Sequence, residues 1–294
     1  MFYRRKIILA LLQAFDGNLP KISLQKLLFL FTNRQVKSAY DFVPYQFGCY
    51  SFSANADLTA LVRHGLLMED KASFTKLDEL NYVSTLNEKD KEILIDIKTT
   101  YEKLNTISLM KLTYLNYPYF AINSVKAKEI LADKQYEKIL FAKPKSSAIT
   151  LFTIGYEGIS LEEYLNRLIK NDVKVLVDVR NNPLSMKFGF SKTQLKNFCA
   201  CLDIEYLHIP QVGIQSAQRK ELNSQADYDK LFDNYRKSNL EQTTMYQEQI
   251  LQILQLKKRI ALTCFEANIC QCHRKHLADA ITQLPGWKFE LKHI

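Results

Sequence analysis

The run Ile260 to Glu266 is apolar until it ends in Cys264 and Glu266, and a short loop then leads to Cys270, Cys272, His273 and Arg274. A thiol, a carboxylate, an imidazole and a guanidinium gathered this closely can bind an anion, hold a metal or carry a reacting centre. Apolar run, loop and Cys-His-Arg read as a buried strand, its carboxyl-end loop and a helix start, and ligands in open α/β sheets sit at the carboxyl ends of strands. At a helix N-terminus the unpaired N–H groups favour anions. The same field, with Arg274 adjacent, is expected to lower the Cys272 thiol pKa and leave an accessible thiolate. Glu266 can then orient His273 or act as general acid or base. The competing reading of any one such cysteine is a small buried hydrophobe.

Cys264, Cys270, Cys272, His273 and His276 are numerous enough to ligate zinc. Adjacent Cys272 and His273 do not easily face one ion, however, and no C-x2-C spacing occurs, so the spacing argues against a metal. No cofactor is identified from the residues.

Three further loops carry polar groups. Ala148 to Ile154 reads as a strand running into Gly155, Tyr156, Glu157 and Gly158, where glycines permit close backbone approach to a ligand. The pattern is not G-x-G-x-x-G, so a dinucleotide fingerprint is absent. Val173 to Val177 reads as a second strand, followed by Asp178, Arg180, Asn181 and Ser185. Arg180 can fork to a phosphate or carboxylate, or pair with Asp178 to lock the loop. Ile204 to His208 is a third strand, followed by Pro210 and Gly213; His208 fits a structural hydrogen bond better than a base. Asp-Val-Arg after one strand and Cys264 after a later one is similar to the rhodanese order. A Cys-x5-Arg cradle would need arginine at position 270, where Cys270 stands.

Positioning these loops takes an α/β domain. After Ala142 to Ser147, a short polar connector with Pro144 and flanking lysines, β-type runs alternate with helical stretches, which implies βαβ units and a mostly parallel sheet. Ser160 caps a helix with Glu162 and Glu163 in its first turn. Ser191 opens another, residues 225–257 form a helical insertion, and Trp287 to Leu291 is the last strand. We therefore divide the chain at 1–145 and 146–294.

The first part is mainly helical. Helices are expected over residues 3–15, from a Ser23 cap through Leu30, and from Asp57 to a Gly65 stop, with an aromatic extended segment from Tyr40 to Phe52 and a strand pair near residues 67–83. Amphipathic helices follow at 86–104 and 124–141, offering a surface for self-association or a protein partner. Three helices and a small β element fit a winged helix-turn-helix. Lys21 to Leu30, with Tyr45 to Ser51 later, resembles the start of the Panacea-type, antitoxin-associated domains over about the first 70 residues.

The bulk properties leave several classes open and close others. The chain has 294 residues, 47% of them hydrophobic, enough for two real cores. No apolar run has membrane-spanning length, and the start at Met1 to Leu12 is interrupted by Gln13 and Asp16 without a cleavage site. Six cysteines without a framework spacing fit a reducing cytoplasm. Net charge is +9, with 21 Lys and Arg against 15 Asp and Glu before residue 146, which favours polyanionic partners.

The C-terminal motifs resemble the domain of unknown function 488 family. Thr153 to Gly158, Val177 to Ser185, Phe188 to Ser191, Tyr206 to Gly213, and Cys264 to Glu266 with Cys272 to Arg274 recur in the family's order over about residues 150–290. Gln211-Val212-Gly213 stands where Leu-Gly is usual. The resemblance implies a Rossmann-like domain with these loops as its signature and supplies no reaction. The combined expectation is a DNA-binding or nucleotide-binding protein in the cytoplasm: a nucleic-acid- or nucleotide-directed enzyme, in genome defence or nucleic-acid modification. There Arg180 and Arg274 hold phosphate and Asp178, Glu266, Cys272 and His273 do the chemistry. The alternative is a DNA-binding regulator that senses a small anion, with Gly155, Tyr156, Glu157, Asn181, Ser185 and Cys264 as ligand contacts.

Overall fold

The connector around Pro144 is where the chain divides: Met1–Lys143 forms one unit and Pro144–Ile294 another. The computed structural model describes residues 1–215, 218 and 224–294. No helix among them is long and apolar enough to cross a membrane.

The first unit opens with α1 (Tyr3–Ala14), β1 (Asn18–Pro20) and α2 (Lys21–Thr32). Pro20 stands at the N-cap of α2, because its fixed φ leads straight into the helix. Ser23 is therefore not the expected cap; it lies inside α2, its hydroxyl 2.9 Å from that of Thr106. The hairpin β2 (Val43–Tyr45) and β3 (Gly48–Tyr50) comes next, then α3 (Phe52–Arg63), β4 (Leu67–Glu69) and β5 (Ser73–Lys76). α3 starts before the expected Asp57 because the Ser51 hydroxyl accepts the Ala54 N–H and caps it there. Asp57 is instead a buried acceptor, taking Arg5 Nε at 2.7 Å and the Tyr40 hydroxyl at 2.9 Å. β1, β5 and β4 form an antiparallel sheet in that order.

The unit ends with α4 (Glu88–Tyr101), α5 (Thr106–Asn116), α6 (Ala127–Ile130) and α7 (Asp133–Ala142). α5 carries no one-sided apolar stripe to announce it in the sequence. It forms behind an Asn105 cap and buries Leu109, Met110 and Tyr114. Phe29 anchors the core, edge-on to Phe42, Tyr117 and Phe120.

The second unit is a Rossmann-like α/β layer structure. Its elements are β6 (Thr150–Gly155), α8 (Leu161–Lys170), β7 (Val175–Asp178), α9 (Lys192–Ala200), β8 (Glu205–His208), α10 (Gln225–Asn234), α11 (Thr244–Lys257), β9 (Arg259–Cys264), α12 (His273–Thr282) and β10 (Glu290–His293). A π-helical turn, Tyr235–Leu240, follows α10. The last strand begins three residues later than the expected Trp287; Trp287 and Phe289 pack edge-on before it.

All five strands run parallel, in the order β10-β6-β9-β7-β8. Every residue of β6, β7 and β9 is buried, as expected of inner parallel strands covered on both faces. The connection from β6 through α8 leads to β7, two places along, and β9 later fills the gap. Gly155 stands opposite Cys264, and Asp178 opposite Thr263. Three carboxyl-end loops far apart in sequence thus lie side by side where the sheet changes winding direction, the usual place for a ligand.

Candidate functional site

The loop after β6 is fastened to the loop after β9. Tyr156 N–H and Glu157 N–H both donate to the Phe265 carbonyl, at 3.1 and 2.9 Å, and the Glu157 carboxylate accepts the Ala267 N–H at 2.9 Å. Gly155 is required by this closeness: a Cβ there would sit 2.0 Å from the Glu266 carbonyl oxygen. The approach that Gly155 permits is thus to the neighbouring loop rather than to a ligand. Arg274, expected to hold phosphate, instead turns Nη1 to the Glu266 carbonyl and Nη2 to that of Ala267 at 3.3 Å. Its guanidinium braces the loop that carries Glu266.

Asp178 and Arg180 form a buried ion pair at the end of β7. Asp178 Oδ1 accepts the backbone N–H and Nε of Arg180 at 3.1 and 2.8 Å; Oδ2 accepts Arg180 Nη2 and the Tyr206 hydroxyl. Arg180 Nη1 donates to the Tyr156 hydroxyl at 2.7 Å and the Phe190 carbonyl at 2.9 Å. Burial opposes the Arg180 charge, but the bonds and charge of Asp178 outweigh it and hold the guanidinium pKa above its ordinary value. With these donors committed, Arg180 builds the wall of the site: of the two roles the sequence left open, the structure has the Asp178 pairing and not the free phosphate fork. Asp178 is likewise engaged as an acceptor and is not poised as a base. Tyr206, which the sequence placed in a family motif without a role of its own, completes this network. His208 is structural, as expected: Nε2 lies 2.9 Å from the Arg180 carbonyl oxygen. In the third loop, a Cβ at Gly213 would meet the Asn181 nitrogen at 2.4 Å, so glycine there lets the β7 and β8 loops pack.

Between these braces lies the reactive cluster. Cys264 Sγ is 3.4 Å from His273 Nδ1 and 3.2 Å from Glu266 Oε2. His273 Nε2 is 3.1 Å from the Val179 carbonyl oxygen. A carbonyl can only accept, so Nε2 carries hydrogen and Nδ1 turns toward the thiol. Cys264, Cys272 and His273 present ligand atoms all within 4.8 Å of one another. The sequence argument against this convergence fails for a local reason. Cys272 is the N-cap of α12, with extended φ and ψ of −129° and 132°, whereas His273 is the first helical residue. The backbone changes conformation between them, so neighbouring side chains can turn to one point.

Cys272 also differs from expectation in its ionisation. Burial, then the hydrogen bond and charge of Cys264, push its thiol well above the ordinary range. Desolvation outweighs the helix N-terminus and Arg274, so Cys272 is not an accessible thiolate. Cys270 is exposed and stands apart from the cluster. His276 packs on Phe232, with Nδ1 2.9 Å from Arg236 Nη1.

Cys264 and His273 open on a cavity of about 280 Å³, lined also by Tyr156, Arg180, Asn181 and Ser185. Asn182, Leu184, Ile214 and Phe265 complete the lining and carried no chemical signal in the sequence. Tyr156 stacks on Phe190 at 4.2 Å, which fixes its ring on one side of the cavity. Two larger cavities, of about 680 and 520 Å³, belong to the first unit.

No curated protein matches the chain. Residues 160–281 match the family model described as Domain of unknown function DUF488. The matched region contains the Asp178–Arg180 pair, Cys264, Glu266 and the Cys272-His273-Arg274 run, so the braces and the reactive cluster are both within it. The second unit of this chain carries, over residues 160–281, the domain of the family described as Domain of unknown function DUF488.

Proposed function

We propose that this protein is a nucleic-acid- or nucleotide-directed enzyme whose reacting centre is Cys264, Cys272 and His273, with Glu266 as the proton-handling group. The observation that carries the enzyme reading is the opening of Cys264 and His273 onto a cavity at the carboxyl rim of a parallel sheet, with the polar side chains of Tyr156, Arg180, Asn181 and Ser185 in its wall. Glu266 is the acid in position for the thiol, 3.2 Å away. A scaffold role is disfavoured because the saturated ion pair beside the cluster walls a cavity instead of closing it.

The nucleic-acid part rests on charge and on the first unit. The net charge is +9, and most of the excess lies before residue 146. The order α1-β1-α2-α3-β4-β5, with β1 paired to β5 and the β2–β3 hairpin inserted, is the order a winged helix-turn-helix uses. It also agrees with the resemblance of Lys21 to Leu30 to antitoxin-associated domains. In this reading the first unit holds the polyanion and the second acts on it, as genome defence or nucleic-acid modification would require. In this reading the protein works in the cytoplasm, a setting that six cysteines without a disulfide framework fit.

The test uses the full chain against duplex DNA, single-stranded DNA, transfer RNA and the common nucleotides, with binding measured at two salt concentrations and turnover followed by mass spectrometry. The expected result is salt-sensitive binding and turnover of at least one substrate that is lost in Cys264→Ser and Glu266→Gln. Absence of both binding and turnover overturns the proposal. Tight binding of a small anion without turnover replaces it with the non-enzymatic regulator.

A further inference from the structure

We infer that Cys264, Cys272 and His273 form a three-ligand site for a single zinc-like divalent metal, with its fourth position facing the cavity. The inference takes the same cluster as the reacting centre and rests on the reading above for its role, though not for its existence.

The Cys264–His273 edge has the length of an edge of a tetrahedral site, and Cys272 lies close enough to join it. Zinc–sulfur and zinc–nitrogen bonds of about 2.3 and 2.0 Å put neighbouring ligand atoms about 3.5–3.8 Å apart at tetrahedral angles. Cys264 Sγ and His273 Nδ1 are 3.4 Å apart, and all three donor atoms fall within 4.8 Å of one another. Two thiolates and one imidazole are a soft and borderline donor set, which selects zinc over calcium or magnesium.

The hydrogen bond from His273 Nε2 to the Val179 carbonyl is an independent mark. It turns Nδ1, the acceptor nitrogen, toward Cys264 and fixes the ring plane, the outer-shell arrangement that metal-bound imidazoles use. Charge gives a third argument. Two thiolates and a neutral imidazole around a divalent ion sum to zero, which is what a site whose ligands are all buried can tolerate. Binding releases one proton from each thiol, and Glu266, beside Cys264, is placed to take one of them.

Three protein ligands leave one position for water or substrate, as in catalytic rather than structural zinc sites. Cys264 and His273 both line the cavity, so that position opens toward it.

The experiment loads the full chain with zinc chloride, removes unbound ion by gel filtration and measures metal by mass spectrometry. About one zinc per chain is expected. Cys264→Ser and Cys272→Ser should each lower retention on the order of tenfold or more, while Cys201→Ser/Cys270→Ser, which removes the two exposed thiols, should leave it unchanged. Cobalt chloride loaded into wild-type protein should give the visible d–d bands of a tetrahedral ion and a near-ultraviolet sulfur-to-cobalt band, a readout that needs no variant. Wild-type protein that retains no zinc and gives no such bands overturns the inference, as does retention that follows Cys201 and Cys270. Metal retained without turnover of any nucleotide or nucleic acid supports the centre and removes the enzyme reading. Full turnover by metal-free protein removes the metal from the reaction and keeps the enzyme.

Discussion

His273 and Val179, 94 positions apart, are joined by a hydrogen bond of 3.1 Å from the ring Nε2 to the main-chain carbonyl. The bond exists because β9 lies beside β7, which brings the start of α12 over the end of β7. It fixes which nitrogen faces Cys264, so the sheet order itself sets the orientation of the imidazole in the cluster.

Asp178→Asn should destabilise the second unit by about 3–5 kcal/mol, the cost of leaving a buried partner charge uncompensated. Arg180 is 5% exposed and would lose its counter-charge while keeping neutral acceptors alone, at Tyr156, Phe190 and the new amide oxygen. Chemical denaturation of the single variant and of Asp178→Asn/Arg180→Met checks this. The double variant should recover part of the loss, and equal or greater loss in the double variant would refute the pairing argument.

Gly155→Ala should push apart the two loops that frame Cys264. The added Cβ meets a main-chain oxygen, which cannot swing away as a side chain would. Overpacking of this kind costs about 1–3 kcal/mol. Hydrogen exchange should report faster exchange at Tyr156 and Glu157, whose N–H groups depend on the Phe265 carbonyl. Unaltered protection at both amides would count against the clamp.

Stability should decline on the alkaline side. Burial first, and Asp178 second, hold the Cys199 thiol above its ordinary pKa. The folded state therefore keeps a proton that the unfolded chain gives up. This contribution is fully present below about pH 8.5, where the unfolded thiol ionises, and is lost as pH rises through the window up to the folded pKa. Within that window one such group costs about 1.4 kcal/mol per pH unit. Thermal melts between pH 8 and 9.5 should show a shallower decline in Cys199→Ala than in wild type; parallel slopes would exclude Cys199 as the source.

The sequence by itself determined the local elements and their chemical order. Apolar runs marked β6, β7 and β9, Ser160 capped α8 as its spacing indicated, and Cys264, Glu266 and the Cys272-His273-Arg274 run were legible as a reactive stretch. These are short-range properties, set by burial pattern, capping and backbone preference within a few residues. Only the tertiary structure decided that β9 is inserted between β6 and β7, placing Gly155 opposite Cys264 and Asp178 opposite Thr263. It also decided that Arg180 and two nitrogens of Arg274 meet internal acceptors, that burial pushes the Cys272 thiol above its ordinary range, and that Cys272 and His273 converge on Cys264. Strand order, desolvation and the acceptor that each donor finds depend on residues as far apart in sequence as Gly155 and Cys264, so no local pattern encodes them.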